Sequence, residues 1–160
     1  MEIVIVTGSR ADRAPLTSVI EAFDAKVIKL EDIKINSPAE AARRCGHAAK
    51  EVVASLPPHA DFAIVLGDRL EILGAASAIN LMSIPLVHLS GGDITEGSQD
   101  DSMLHAITKL AHVHFPTHVA AAKRILAMGE EPWRVHTVGC SGIDLLKHMP
   151  LLSKDAVTQK

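Results

Sequence analysis

Six side chains able to move a proton or contact a ligand fall within HLSGGDITEGSQDDSMLH, residues 88–105: His88, Asp93, Glu96, Asp100, Asp101 and His105. Such a run could solvate a surface loop, bind a cation or divide acid and base work. The last requires burial and like-charge proximity to separate the proton affinities of the carboxylates. Gly91 and Gly92 permit a tight turn or a close ligand approach, bracketed by His88 and Asp93. Glu96 falls near the loop tip, and Asp100 or Asp101 can cap the following helix, where the positive helix end favours an acid. The stretch has neither the HExxH pattern nor the alternating acids of a calcium loop, so no metal is expected.

Three further groups follow apolar runs. TGSRAD, residues 7–12, offers Arg10 to an anionic ligand, with hydroxyls and backbone N–H groups to orient its oxygens. An Arg10–Asp12 ion pair is the competing structural role. TGSRAD is neither a P-loop nor a GxGxxG fingerprint, so it cannot alone identify ATP or NAD. LGDRLE, residues 66–71, offers Asp68 for proton transfer or for capping a helix, and Arg69 for pairing with Glu71. CSGID, residues 140–144, places Ser141 in a turn that could touch a ligand.

These loops need a frame. EIVIV (2–6), AKVIKL (25–30), DFAIVL (61–66), IPLVHL (84–89), VHF (113–115) and RVHTVG (134–139) read as six strands. Between them AEAARRCGHAAKEVVASL (39–56), GDRLEILGAASAINLM (67–82), DSMLHAITKLA (101–111) and THVAAAKRILAMG (117–129) read as helices, with Gly46 a candidate interruption. A terminal turn and helix are expected from Cys140 onward. Alternation of strand and helix predicts a three-layer α/β/α Rossmann-like domain with a mainly parallel sheet. In such sheets ligands occupy crevices outside the strand C-termini, where all of these loops fall.

Composition narrows the function classes. Almost half of the 160 residues are hydrophobic, yet only three are Phe, one is Trp and none is Tyr, so the core must be aliphatic and a base-stacking platform is not expected. A net charge of −3 without a Lys/Arg run argues against nucleic acid. Trp133 is expected to pack at the entry to the last strand. Cys45 and Cys140 lack a CxxC arrangement, which fits a reduced, cytoplasmic setting. No apolar run reaches about 18 residues, so no membrane partner is expected. The length fits one domain, residues 1–160.

Taken in order, TGSRAD, LGDRLE, HLSGGDITEG, DDSMLHAITKLAHVHF and MGEEPWRVHTVGCSGID resemble the hydrolysing UDP-N-acetylglucosamine 2-epimerase family, from residue 2 to about residue 146. The resemblance implies the N-terminal half of a two-domain GT-B arrangement with the substrate in the interdomain cleft. It implies conversion of UDP-N-acetylglucosamine and water to UDP and N-acetylmannosamine by elimination to a 2-acetamidoglucal and rehydration, with no metal or NAD. It assigns catalytic carboxylates to Asp68, to Asp93 (where the family more often has Glu) and to Asp100, and substrate contacts to Arg10 and His105. His88, Glu96 and Ser141 are further candidate substrate contacts from their loops. Where the family usually has Arg before HAITK, this chain has Leu104. The resemblance covers a single epimerase-like domain, so a homo-oligomer or a separate C-terminal-domain partner would complete the site. A binding module with reduced catalysis and a structural assembly domain are the competing functions.

Overall fold

The computed structural model describes residues 1–8, 10–31 and 33–148, and gives residues 10–12, 147 and 148 as backbone only. Strand β1 (Ile3–Thr7) is buried along its whole length. Alternate side chains serve opposite faces: Val4 and Val6 join one apolar cluster, Ile3 and Ile5 another. A strand buried on both faces therefore reads as an unbroken apolar run.

Helix α1 (Arg10–Phe23) leads to β2 (Lys26–Lys29), and α2 (Pro38–Ser55) to β3 (Phe62–Leu66). Helix α3 (Leu70–Leu81), β4 (Leu86–Leu89), α4 (Asp100–Leu110), β5 (Val113–Phe115), α5 (Val119–Ala127) and α6 (Ser141–His148) follow. Among the described residues five strands form one sheet in the order β2-β1-β3-β4-β5, with every neighbouring pair parallel. Ala48 and Val52 of α2, Ile72 and Ile79 of α3 and Ile107 of α4 pack in the larger cluster with Val4, Val6, Ala63, Val65 and Leu86. Leu16 of α1 packs in the smaller one with Ile64 and Val87, and α6 lies against α1. This is the three-layer α/β/α arrangement that the sequence predicts.

Three details depart from the sequence reading. Gly46 does not interrupt α2, whose first turn is secured by the Ser37 hydroxyl accepting from the Glu40 N–H at 3.2 Å, with Pro38 in the first turn. The sixth strand reduces to an isolated bridge between His114 and Val135. His136 N–H donates to the His114 carbonyl at 2.9 Å and Val138 N–H to the Pro116 carbonyl at 3.2 Å, a parallel pattern. The intervening bond would need an N–H on residue 116, which proline lacks. Trp133 is also not packed at this entry; it is 69% exposed, with the Arg134 guanidinium 5.8 Å from its ring centroid.

Helices α2 and α3 cross at Gly74, where an added Cβ would lie 2.0 Å from the Cys45 carbonyl oxygen, whereas one on Gly46 would meet nothing within 4 Å. The two glycines therefore predict opposite responses to Ala. Gly74→Ala must push the helices apart and should lose about 1–3 kcal/mol. Gly46→Ala removes a flexible residue from a helix interior and should gain about 0.5–1 kcal/mol. Urea unfolding of both variants checks the pair.

Candidate active site at the carboxyl edge of the sheet

His88 lies on β4 with no exposed surface. Its Nε2 is 2.8 Å from the Gly67 carbonyl oxygen, which can only accept, so Nε2 carries the proton. Its Nδ1, an acceptor, faces the Thr108 hydroxyl at 3.2 Å, whose single proton it shares with the Leu104 carbonyl at 2.9 Å. Burial pushes the imidazole pKa down to about 4, against a smaller upward pull from the Gly67 hydrogen bond, so the ring is neutral near pH 7. Gly91 fits against this pair; a Cβ there would lie 2.8 Å from His88 Nδ1 and 3.0 Å from Thr108 Oγ1. One imidazole thus joins the loop after β3, the loop after β4 and helix α4. The sequence reading offered His88 to substrate; the structure places it beneath the loops as their brace, with both nitrogens engaged inside the protein.

The loop after β4 is clamped on its other side by α5. Gly92 has φ +79°, and a Cβ on it would meet the Ala121 carbonyl oxygen at 2.4 Å. Glycine meets both demands, a left-handed backbone and a close helix approach. Arg124 reaches from α5 to donate to the Gly92 carbonyl at 2.8 Å. Asp93 follows at once. Its Oδ1 is 2.7 Å from His118 Nε2 and its Oδ2 is 3.4 Å from the Thr117 hydroxyl.

The remaining sequence candidates divide by position. Asp68 is half-buried directly after Gly67. Its neighbour Arg69 pairs with buried Glu71 at 2.6 Å, the pairing expected from LGDRLE. Asp101 accepts from the Thr95 N–H at 3.0 Å and so closes the acidic loop, while Asp100 opens α4 and lines a cleft of about 390 Å³ with Ser37, Cys45, Leu70 and Met103. Neither acid is the N-cap; that position is Gln99, and both acids sit in the first helical turn instead. His105 lies 3.8 Å from Asp101 through Nε2, with its Nδ1 buried and without a hydrogen-bond partner among the described residues. Glu96 is exposed at the loop tip. Arg10 opens α1 at the same sheet edge, and its side chain lies outside the described residues. Ser141 stands apart from Asp100: it lines a separate, largely apolar cavity of about 550 Å³ between α1, α6 and the sheet.

Sequence reasoning passed over His118 and Arg124. The signal for His118 was present, since PTH directly before VAAAKRIL marks a helix start, but the pattern did not say that the capping ring would also reach Asp93. His112 Nδ1 accepts from the Leu86 N–H at 3.1 Å. His114 joins a buried knot around Glu130, whose carboxylate meets His114 Nε2 at 3.1 Å, Arg134 Nη2 at 3.1 Å and the Lys109 ammonium. Burial would raise the Glu130 pKa, but the Lys109 and His114 hydrogen bonds outweigh it and hold the carboxyl below its ordinary value. Burial lowers the His114 pKa despite the Glu130 partner. Glu31, His47 and Glu51 could together offer donor atoms to a cation, with all of these atoms within 4.8 Å of one another. Both Glu51 oxygens are already engaged, one by the Glu31 N–H at 2.8 Å and the other by Arg44 at 2.7 Å.

Fold and site together define a Rossmann-like parallel α/β domain with acidic residues on the loops at the carboxyl edge of its sheet. The UDP-N-acetylglucosamine 2-epimerase family model matches residues 1–160, and the chain belongs to that family. It is 47% identical over 94 residues to the GDP/UDP-N,N'-diacetylbacillosamine 2-epimerase (hydrolyzing) of Campylobacter jejuni, an alignment covering 59% of this chain and 24% of that protein. It is 32% identical over 157 residues to the polysialic acid biosynthesis protein P7 of Escherichia coli, covering 91% of this chain and 39% of that one. The crystal structure of the Neisseria meningitidis UDP-GlcNAc 2-epimerase bound to UDP-GlcNAc superposes with a TM-score of 0.77 at 17% identity, over 92% of this chain and 48% of that one. The chain thus spans less than half the length of these relatives. Its fold is that of a GT-B-type N-terminal domain. No helix among the described residues is long and apolar enough to cross a membrane.

The His88 brace predicts an acid-sensitive stability increment. The unfolded imidazole takes up a proton near pH 6.5 and the folded one only near 4, so the increment is complete above pH 6.5 and is lost as pH falls toward 4. Its full size is on the order of 3 kcal/mol. Urea unfolding at pH 7 and pH 4.5 should show the stability difference between wild type and His88→Gln shifting against wild type by about 2–3 kcal/mol at the lower pH. A difference independent of pH would contradict a neutral, buried ring.

Proposed function

We propose that this chain supplies the acid–base half of a hydrolysing sugar-nucleotide 2-epimerase site, converting UDP-N-acetylglucosamine and water to UDP and N-acetylmannosamine. The observation that carries the reading is the placement of Asp68, Asp93 and Asp100 on three consecutive segments at one sheet edge, in a chain of this family. The reaction asks for such groups. A base removes the C2 proton, the C1–O bond to the diphosphate breaks with loss of UDP, and a 2-acetamidoglucal remains. Water then adds across the double bond, its oxygen to C1 and a proton to the opposite face of C2. Carboxylates in distinct surroundings can accept the first proton and deliver the second. Asp93, held at the loop rim, and Asp100, lining a cleft, are the groups this reading places nearest the sugar, with Asp68 beside the braced Gly67. Arg10 stands at the edge where an anionic leaving group needs a cation. His105 and Glu96 flank the same loop as substrate contacts.

A second copy of the chain or a separate C-terminal-domain partner completes the cleft in this reading, and the reaction takes place in the cytoplasm. The identity to the C. jejuni protein supports a second substrate, a nucleotide-linked N,N'-diacetylbacillosamine, for which the same elimination and hydration apply.

Mass spectrometry of the products distinguishes these. Purified protein incubated with each sugar nucleotide should release nucleoside diphosphate and the 2-epimeric free sugar in equal amounts. Asp68→Asn and Asp93→Asn should each lower kcat by about 100-fold or more. Absence of product from either substrate at high enzyme concentration, with saturable UDP binding by calorimetry, would replace catalysis with binding alone.

A further inference from the structure

We propose that His118 is a positioning residue for Asp93, fixing one carboxylate oxygen so that the other faces the reacting sugar. The inference rests on the acid–base reading of Asp93 and adds a residue to it. His118 precedes α5 in an extended conformation, and its Nδ1 accepts from the Ala121 N–H at 3.3 Å, which makes it the helix N-cap. A backbone amide can only donate, so Nδ1 is unprotonated and the ring proton of the neutral imidazole sits on Nε2. Nε2 points at Asp93 Oδ1 from 2.7 Å. A ring flip would break both bonds at once. The cap thus fixes the orientation and the tautomer of the ring, and the ring fixes the carboxylate.

The two oxygens of Asp93 are therefore unequal. Oδ1 holds a short bond to an N–H donor, whereas among the described residues Oδ2 has only the 3.4 Å contact to the Thr117 hydroxyl. An oxygen with one long, weak contact keeps lone-pair capacity for a substrate proton. The backbone is fixed to match. Gly92 packs against the Ala121 carbonyl and accepts from Arg124, so the Cα of Asp93 cannot swing away from α5. Asp and His at these two positions form one unit: the side chain of Asp93 is short, and α5 brings the imidazole to it.

Separating the cap from the positioning is the test. His118→Asn keeps a strong N-cap side chain but cannot span the gap to Asp93, while His118→Ala loses both functions. The melting temperature should hold in His118→Asn and fall in His118→Ala. Turnover of the sugar nucleotide should drop in both, with kcat lower by about 10- to 100-fold and KM within about twofold. Wild-type kcat in His118→Asn would overturn the proposal. If the wild type itself releases no product, the acid–base reading fails, and the pair is judged by nitrogen-15 NMR of the imidazole. The proposal then expects the Nε2–H tautomer and a shift of the Nε2 resonance in Asp93→Asn. An unshifted resonance, or an Nδ1–H tautomer, would overturn it.

Discussion

A neutral imidazole buried in a parallel sheet is the contact on which the site depends. Burying a polar ring is unfavourable unless both nitrogens find partners, and His88 finds them on two different segments, the Gly67 carbonyl and the Thr108 hydroxyl. The arrangement works because Gly91 has no side chain to hold the loop off the ring. Those contacts set the spacing between the segment that carries Asp68, the segment that carries Asp93 and the helix that begins with Asp100. Without the brace each acid would still be present, but its distance from the others would be set by a loop rather than by the sheet. Displacements on the order of an ångström are enough to cost an enzyme most of its rate.

The loop after β4 is held from two directions. Gly91 rests on the His88–Thr108 pair and Gly92 on α5, so two adjacent glycines permit two separate close approaches. The same crowding explains Leu104. It is 3% exposed and packs inside, and its carbonyl lies beside the Thr108 hydroxyl. At the position where the family usually carries Arg, this chain uses the side chain for the interior. Donors to this loop come instead from α5 and its cap, through the Arg124 guanidinium and the Nε2–H of His118.

The frame was legible in the sequence because burial and periodicity are written in residue types. IVIV reads as a strand with two apolar faces, and the helix formers around Gly46 outweigh one glycine in an eighteen-residue helix. The sixth strand misled because RVHTVG has strand character of its own, while the limit lies in its neighbour: Pro116 cannot return the bond that a ladder requires. Site chemistry was less legible. A histidine in an apolar strand has the same letter whether it meets substrate or braces a loop, and only the positions of Gly67 and Thr108 decide the matter for His88. Likewise, DD at a helix start suggested a capping acid, whereas Asp101 accepts from the Thr95 N–H across the loop and Gln99 takes the cap position. The Asp93–His118 pair spans residues far apart in sequence, brought together only when α5 folds back onto the loop.

Hydrogen–deuterium exchange in His88→Ala tests most directly whether one buried ring holds the acidic segments as a unit. The account predicts that amides in residues 67–70, 91–94 and 100–108 exchange faster together, while β1 and the α2–α3 crossing at Gly74 keep their protection. Faster exchange confined to β4 around residue 88, with the other segments unchanged, would contradict it.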